Sequence, residues 1–317
     1  MNERPAMDMR QLRYFVQIVE SGSFAKAARQ LYVAQPALSQ QMAKLEGQVG
    51  KLLLNRSAKG AAPTENGKAL YRHAKFLLHQ LDQALFVARQ DTASIRGRVS
   101  LGLPPSTNCV LGLPLLRRMR ERHPGILLNI VEGLTGNLGR MARDGQLDLA
   151  VLFTPAQASE LVTEPLLDEE LFVTLPRGSR LVAAHDRRLG MERIAGLPLV
   201  LPSDTHGLRH HINREFEKHD LFVQPVIEVD ALHLLMTCVH EGMGATIQPV
   251  ASTFALHGLQ RRWRRLPLAD IEMRRRNYLY SRPLDTLSAA AALVREEVRR
   301  VVRGLAESGV WQGVDPI

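Results

Sequence analysis

Cysteine is nearly absent: the 317 residues hold only Cys109 and Cys238, far apart and in neither a CxxC nor a CxxH setting. That excludes a disulfide scaffold and a zinc finger, and leaves two small buried hydrophobes as the plain reading. Long apolar runs are missing as well. No uninterrupted stretch approaches the roughly 18 residues of a membrane span, and residues 1–10 mix charges without an apolar segment. Neither a signal peptide nor an anchor is expected, which makes the chain cytoplasmic by expectation, with no membrane partner. Catalytic signatures are lacking too: there is no GxSxG, HExxH or GxxxxGK[ST], and His240-Glu241 has no second histidine at the required offset. His206, His210 and His211 cluster without an acidic or cysteine partner, which favours a surface helix over a metal site. No cofactor is expected.

What is present is the balance of a globular protein, 45% apolar and 23% charged, at a length that predicts about two domains. The charge is unevenly placed. Of the net +9, residues 1–97 carry +7 and the remainder +2. A compact basic head on a near-neutral body is the layout of a nucleic-acid-binding module joined to a part with another task.

In the head, Leu12, Phe15, Val16 and Val19 form one apolar stripe on a first helix ending near Ser21-Gly22. Ser23 caps a second helix, on which Phe24, Ala27, Ala28 and Leu31 repeat the spacing. A third helix starts at Gln35-Pro36, where the proline's missing N–H costs nothing, and runs to about Val49. Its buried stripe is Leu38, Met42, Leu45 and Val49. Gln35, Pro36, Ser39, Gln40 and Ala43 fall on the opposite side, with Lys44 further along. Gln bonds two atoms of an adenine edge and Ser serves as donor or acceptor, so this face suits a DNA major groove. A solvated helix face is the bland alternative, but three helices of helix-turn-helix length and the basic excess outweigh it. Residues 52–60 then read as two short strands around a basic tip, a wing that places Arg56 and Lys59 on phosphate or in the minor groove.

Thr64 caps a long helix, on which Leu70, Ala74, Leu77, Leu81, Ala84 and Ala88 alternate by four and three in a heptad seam. About 30 residues at 1.5 Å rise make a rod of about 45 Å, too long to pack on one small domain, so a partner helix is expected. Past Arg96-Gly97 the pattern becomes strands alternating with helices. Strands are expected at 99–103, 126–131 and 149–153 and helices at 111–122 and 138–144, in a parallel sheet. A second unit begins near Asp168, with strands at 171–175, 199–201, 226–229 and 245–248 and helices at 207–219 and 232–241. A strand at 277–280 and a helix at 286–304 return to the first.

Ser21-Gly22-Ser23-Phe24-x-x-Ala27-Ala28, Ala34-Gln35-Pro36-Ala37-Leu38-Ser39-Gln40-Gln41, Leu45-Glu46 and Leu53-x-x-Arg56-x-x-Lys59-Gly60-x-x-Pro63-Thr64-x-x-Gly67 together resemble the winged helix-turn-helix of LysR-type transcriptional regulators. Lys59-Gly60 and Leu70-Tyr71-x-His73-Ala74 are similar to its nitrogen assimilation control branch. In two places the chain departs from the family: Ala34 where a capping Ser is frequent, and Gln40 where many members carry Arg. Asp148-Leu149-Ala150-Val151 and Gly242-Met243-Gly244-Ala245-x-x-Gln248-Pro249 are family-like landmarks in the body.

The resemblance implies an α/β protein with a winged N-terminal module at 7–64, a dimerisation linker helix at 65–96 and an effector domain at 97–317. That domain is similar to two-lobed solute-binding proteins, with subdomain I at about 97–167 and 271–305 and subdomain II at about 168–270. It implies double-stranded DNA and a small effector as partners, and assembly as a homodimer or homotetramer; RNA polymerase is left open as a further partner. Ligands sit at the carboxyl ends of strands, where helices begin. Ser106, Thr107 and Asn108 follow the first strand, and Ser203, Asp204, Thr205 and Gly207 hold the matching place in the second unit. Two converging helix starts favour a small anion, with Arg209 supplying charge and Phe153 and Thr154 lining the floor. Asp204 and Asp230 also read as helix caps. Ligand-independent regulation and a thiol switch at Cys109 and Cys238 are the alternatives, with an enzyme on a binding-protein-like fold a remote one.

Overall fold

The computed structural model describes residues 7–57, 60–88, 95–155, 161–256, 258–259, 262–283 and 286–317. It divides into two compact units, residues 1–92 with 143–146 and residues 93–142 with 147–317.

The first unit opens with α1 (Met9–Ser21), capped by Asp8, whose carboxylate accepts from Gln11 N while the Gln11 side chain accepts from Asp8 N. Gly22, at φ +64°, ends it. Ser23 accepts from Lys26 N at the head of α2 (Phe24–Gln30). Ala34 offers α3 (Gln35–Val49) no side-chain bond, so its start relies on Pro36 in the first turn. Phe15, Ile18, Ala27, Ala28, Leu38, Met42 and Leu45 form the buried core, joined by Leu53 and Leu54. Val49, expected in that stripe, is 42% exposed, because the helix stops there at Gly50. The wing is a hairpin of β1 (Leu54–Ser57) and β2 (Gly60–Pro63). At Gly60 a Cβ would lie 2.4 Å from the Gly22 carbonyl oxygen, which itself accepts from Ala61 N, so the Gly22 and Gly60 of the motif hold the wing against the α1–α2 turn.

Thr64 accepts from Gly67 N and donates to the Leu52 carbonyl, capping α4 (Glu65–Ala88). Leu70 and Ala74, expected on the dimer seam, pack instead with Leu12 and Val16 of α1, and Ala74 is fully buried. The first turns of α4 thus complete the head's own core. From Leu77 onward the seam is uncovered: Leu77 and Ala84 are exposed and Leu81 is half-buried, and Leu85 beside them is exposed too. The side chain of Ala88 lies outside the described residues.

The second unit begins with β3 (Gly97–Leu103), α5 (Pro105–Arg122), β4 (Ile126–Glu132), α6 (Thr135–Arg143) and β5 (Leu149–Leu152). β3 runs parallel to β4 and β5. The 15-residue β6 (Val162–Pro176) then crosses from one subdomain to the other. It leads to α7 (Met191–Ala195), β7 (Leu199–Leu201), α8 (Gly207–Glu217), β8 (Pro225–Glu228), α9 (Leu232–His240) and β9 (Thr246–Pro249). A 3-10 turn (Val250–Ala255), β10 (Trp263–Leu266), β11 (Arg274–Ser281), α10 (Ala289–Glu307) and β12 (Val314–Pro316) complete the chain.

The order β10-β6-β11-β5-β3-β4 is mixed rather than wholly parallel. β11 is antiparallel to both β5 and β6, because β6 leaves subdomain I for the other lobe and β11 returns from it. One core gathers Val99, Leu101, Leu111, Val151 and Val294, the other Leu171, Val173, Leu199, Ile212 and Ile247. α5 starts six residues earlier than the pattern predicts. Pro105 at its first position needs no N–H partner, so Ser106, Thr107 and Asn108 lie in its first turn instead of a preceding loop.

Candidate functional site

On α3 the side chains of Gln35, Gln40 and Lys44 are exposed and that of Ser39 half-buried, with Pro36 exposed at the head. Those four polar side chains make no side-chain hydrogen bond or ion pair with any described residue, so a row of donors and acceptors stands unengaged on one helix face. Ser23 is spent on its cap. Glu46 accepts from Leu53 N and Leu54 N at 2.9 and 3.1 Å and pairs with Arg56 Nη2 at 3.4 Å, tying α3 to the wing. The Arg56 guanidinium also lies over the Phe24 ring at 4.6 Å. Arg56 is therefore a positioned cation with one side open to solvent. Lys59 lies outside the described residues.

In the second unit the sequence places Asp168-Glu169-Glu170 and Arg274-Arg275-Arg276 on adjacent antiparallel strands, each acid opposite an arginine. The outer pair, Arg276 with Asp168, is bidentate at 2.6 and 2.7 Å and holds the Asp168 carboxyl below its usual range. The middle pair faces inward. Arg275 Nε donates to Glu169 Oε1 at 2.6 Å, with both side chains under a tenth exposed, and Asn277 Nδ2 donates to the same oxygen at 3.0 Å. Arg275 Nη2 donates to Ser106 Oγ at 2.9 Å, and the guanidinium lies 3.8 Å above the Phe153 ring.

Arg275, Ser106 and Phe153 stand at the bottom of a cleft between the subdomains. Pro104, Thr135, Pro202, Leu232 and Leu235 also line its walls, with Gln248 alongside. About 30 Å³ of it is free, room for a water or two. His206 and Asp230 also line it. Burial pushes the His206 imidazole below its usual value; the Arg275 charge adds to this and Asp230 opposes it. Its Nδ1 accepts from Leu208 N at 3.1 Å, consistent with a neutral ring.

The sequence-derived candidates divide on this geometry. Ser106 and Phe153 line the cleft. Thr107 is buried and its hydroxyl has no partner among the described residues, but it is not among the lining residues. Asn108 turns away to donate to Glu132 at 2.7 Å. Thr154 is exposed, and its carbonyl accepts from the Tyr280 hydroxyl. Ser203 gives both its N–H and its hydroxyl to Asp230, so an anion there would have to displace a carboxylate. Asp204 is exposed, off the cleft. Arg209 is buried and bound to Asn213, Glu228 and the carbonyls of Pro202 and Val223; it clamps α8 to its neighbours and is not among the residues lining the cleft. His206, which the sequence assigns to a surface helix, is a cleft residue. Sequence reasoning misses Arg275 and Gln248 as cleft residues; the complementary acid and arginine triplets are the signal for the first.

Cys109 is half-buried on α5: removal from solvent and the Glu132 charge push its thiol up to about 11. A reactive thiolate needs the opposite shift.

An unengaged polar helix in a winged head, together with a two-lobed body enclosing a cleft, defines a DNA-binding regulator with a ligand-binding domain. Family models agree: that for the bacterial regulatory helix-turn-helix protein, lysR family, matches residues 9–68, and that for the LysR substrate binding domain matches residues 92–303. The chain belongs to the LysR family, whose members are transcriptional regulators rather than enzymes. The nitrogen assimilation regulatory protein nac of Klebsiella aerogenes is 35% identical over 258 residues, covering 81% of this chain and 83% of that protein. A probable hydrogen peroxide-inducible genes activator of Mycobacterium avium is 32% identical, over 75% of this chain and 76% of its own length. In fold, the chain is similar to full-length CbnR complexed with its target DNA, at a TM-score of 0.67 and 18% identity, covering 93% of this chain and all of that one. A full-length OxyR variant from Pseudomonas aeruginosa gives 0.69 and 22%, over 93% of this chain and 98% of that one. Among the described residues no helix is long and apolar enough to cross a membrane.

Proposed function

We propose that the cleft binds a small carboxylate with an apolar body, and that its occupancy sets the affinity of the head for DNA. The observation that carries this reading is Arg275: a buried guanidinium stacked on an aromatic ring, bonded to the first turn of α5, at the junction of two lobes. Its Nη1 is uncommitted among the described residues, and the Ser106 and Thr107 N–H groups in the first turn of α5 add partial positive charge. Phe153, Leu232 and Leu235 would receive the apolar part. With about 30 Å³ free, entry requires the lobes to part, so binding and lobe angle are linked. Asp230 restricts the ligand to a single anionic group, since a second would face that carboxylate.

In this reading Gln35, Ser39, Gln40 and Lys44 meet base edges, Arg56 and Lys59 meet backbone phosphate, and Leu77, Leu81 and Ala84 pair with a second copy of α4. The boundaries at 64, 96 and about 168 and 271, assembly as a homodimer or homotetramer, contact with RNA polymerase and a cytoplasmic location belong to the same proposal. A screen of monocarboxylates for a raised melting temperature of the full chain tests it. A hit should lose at least tenfold in affinity in Ser106→Ala and in Phe153→Ala. Hits unaffected by both changes would place the ligand elsewhere.

A further inference from the structure

A second cavity in the same unit shares no lining residue with the cleft. It is a groove of about 620 Å³ between the end of β6, β10, the 3-10 turn and the segment after α10. Arg177, Arg265, Gln312 and Thr253 supply its polar lining, with Phe254 and Trp263 beside them.

Its two arginines are unlike those nearby. Arg264 donates to the carbonyls of Ala183 and Asp186, and Arg274, Arg275 and Arg276 each face a carboxylate. Neither Arg177 nor Arg265 has a carboxylate partner among the described residues. Arg265 is half-buried and, among the described residues, its one side-chain bond goes to Gln312 Oε1 at 2.9 Å, a neutral acceptor. Burial and the nearby Arg177 charge together push its pKa down. Arg265 is thus a half-buried charge beside the exposed Arg177, and a like-charged neighbour with no counter-charge costs stability unless an anion joins the two. Trp263, which also lines the groove, is 3% exposed, and its indole N–H has no hydrogen-bond partner among the described residues.

We infer that this groove is a second ligand site, for a small organic anion bearing two or more carboxylate or phosphate groups. Paired guanidinium groups present forked donors that match either oxyanion. The free volume exceeds what one inorganic phosphate fills and lies in the range of metabolite sites. Arg177, Trp263 and Arg265 belong to subdomain II, while Phe254 packs on the core of subdomain I and Gln312 follows Trp311 of that core. A bound polyanion would therefore bridge the lobes at a second point, independent of the carboxylate assigned to the cleft.

The chain has two tryptophans, one of them in this groove and the other in the core of subdomain I, so intrinsic fluorescence reports on the site. The full chain would be titrated with citrate and separately with pyrophosphate, each against sodium chloride at matched ionic strength. A saturable change with either anion and none with chloride is expected, and which anion acts identifies the chemical source. Arg265→Gln and Arg177→Gln should each weaken binding at least tenfold with unchanged far-ultraviolet circular dichroism, and Ser106→Ala should leave it intact. No saturable change with either anion, equal binding in both arginine variants, or loss only in Ser106→Ala would overturn the inference.

Discussion

At the residue scale the buried pair of Arg275 and Glu169 couples stability to the ligand site. Removing one partner of such a pair strands the other charge away from water, which costs about 3–5 kcal/mol. Glu169→Gln should lower the urea midpoint accordingly, whereas Asp168→Asn, in the open pair with Arg276, should leave it close to the parent. An equal effect of the two would mean that the inner pair is not desolvated. A third carboxylate gives a pH signature. Burial would raise the Glu297 pKa, but hydrogen bonds from Arg118 and His123 and the charges of Arg118 and Arg300 outweigh it and hold the pKa low. A depressed folded pKa contributes stability that is present above the unfolded value, near 4.5, and is lost as pH falls through the folded one. Denaturant midpoints measured between pH 6 and pH 3 should therefore fall less steeply in Glu297→Gln than in the parent.

At the scale of elements, α4 serves two purposes. Its first turns close the core of the head, and at Gly67 a Cβ would sit 2.0 Å from the Leu53 carbonyl oxygen, so Gly67→Ala should destabilise by about 1–3 kcal/mol through overpacking. Its later turns expose Leu77 and Leu85. Leu77→Lys with Leu81→Lys should dissociate the dimer in sedimentation while leaving the melting temperature of the head nearly unchanged; a double variant that sediments as the parent would refute the pairing. The same division marks what sequence can reveal. The head is legible because caps, glycines and helical spacing act within a few residues, as Ser23, Thr64 and Pro36 show. The antiparallel passage of β6 and β11 is not, because it joins strands about a hundred residues apart, and with it goes Arg275, whose significance lies in facing Glu169. Ser106 and Phe153 follow from the rule that ligands sit where strands end. Arg209 obeys the same rule and proves to be a clamp, a distinction that only its four bonded partners make.

In the whole molecule a basic head that reads DNA is joined to a near-neutral body with the proposed ligand cleft. Phosphate contacts make affinity fall with salt, and Arg56→Ala should reduce the slope of log K against log salt by about one, weakening all sequences alike. Gln40→Ala should instead cost about 1–3 kcal/mol on the preferred site alone. A ligand alters operator affinity only by its preference for one arrangement of the body over another, usually about 1–3 kcal/mol. The most direct test is therefore the dissociation constant of the full chain for a DNA site selected from a random pool, measured against rising concentrations of a carboxylate that raises its melting temperature. A saturable shift of about 5- to 150-fold is predicted, absent in Ser106→Ala. A constant that stays the same when the cleft is saturated would contradict the account, because the body would then bind its ligand without telling the head.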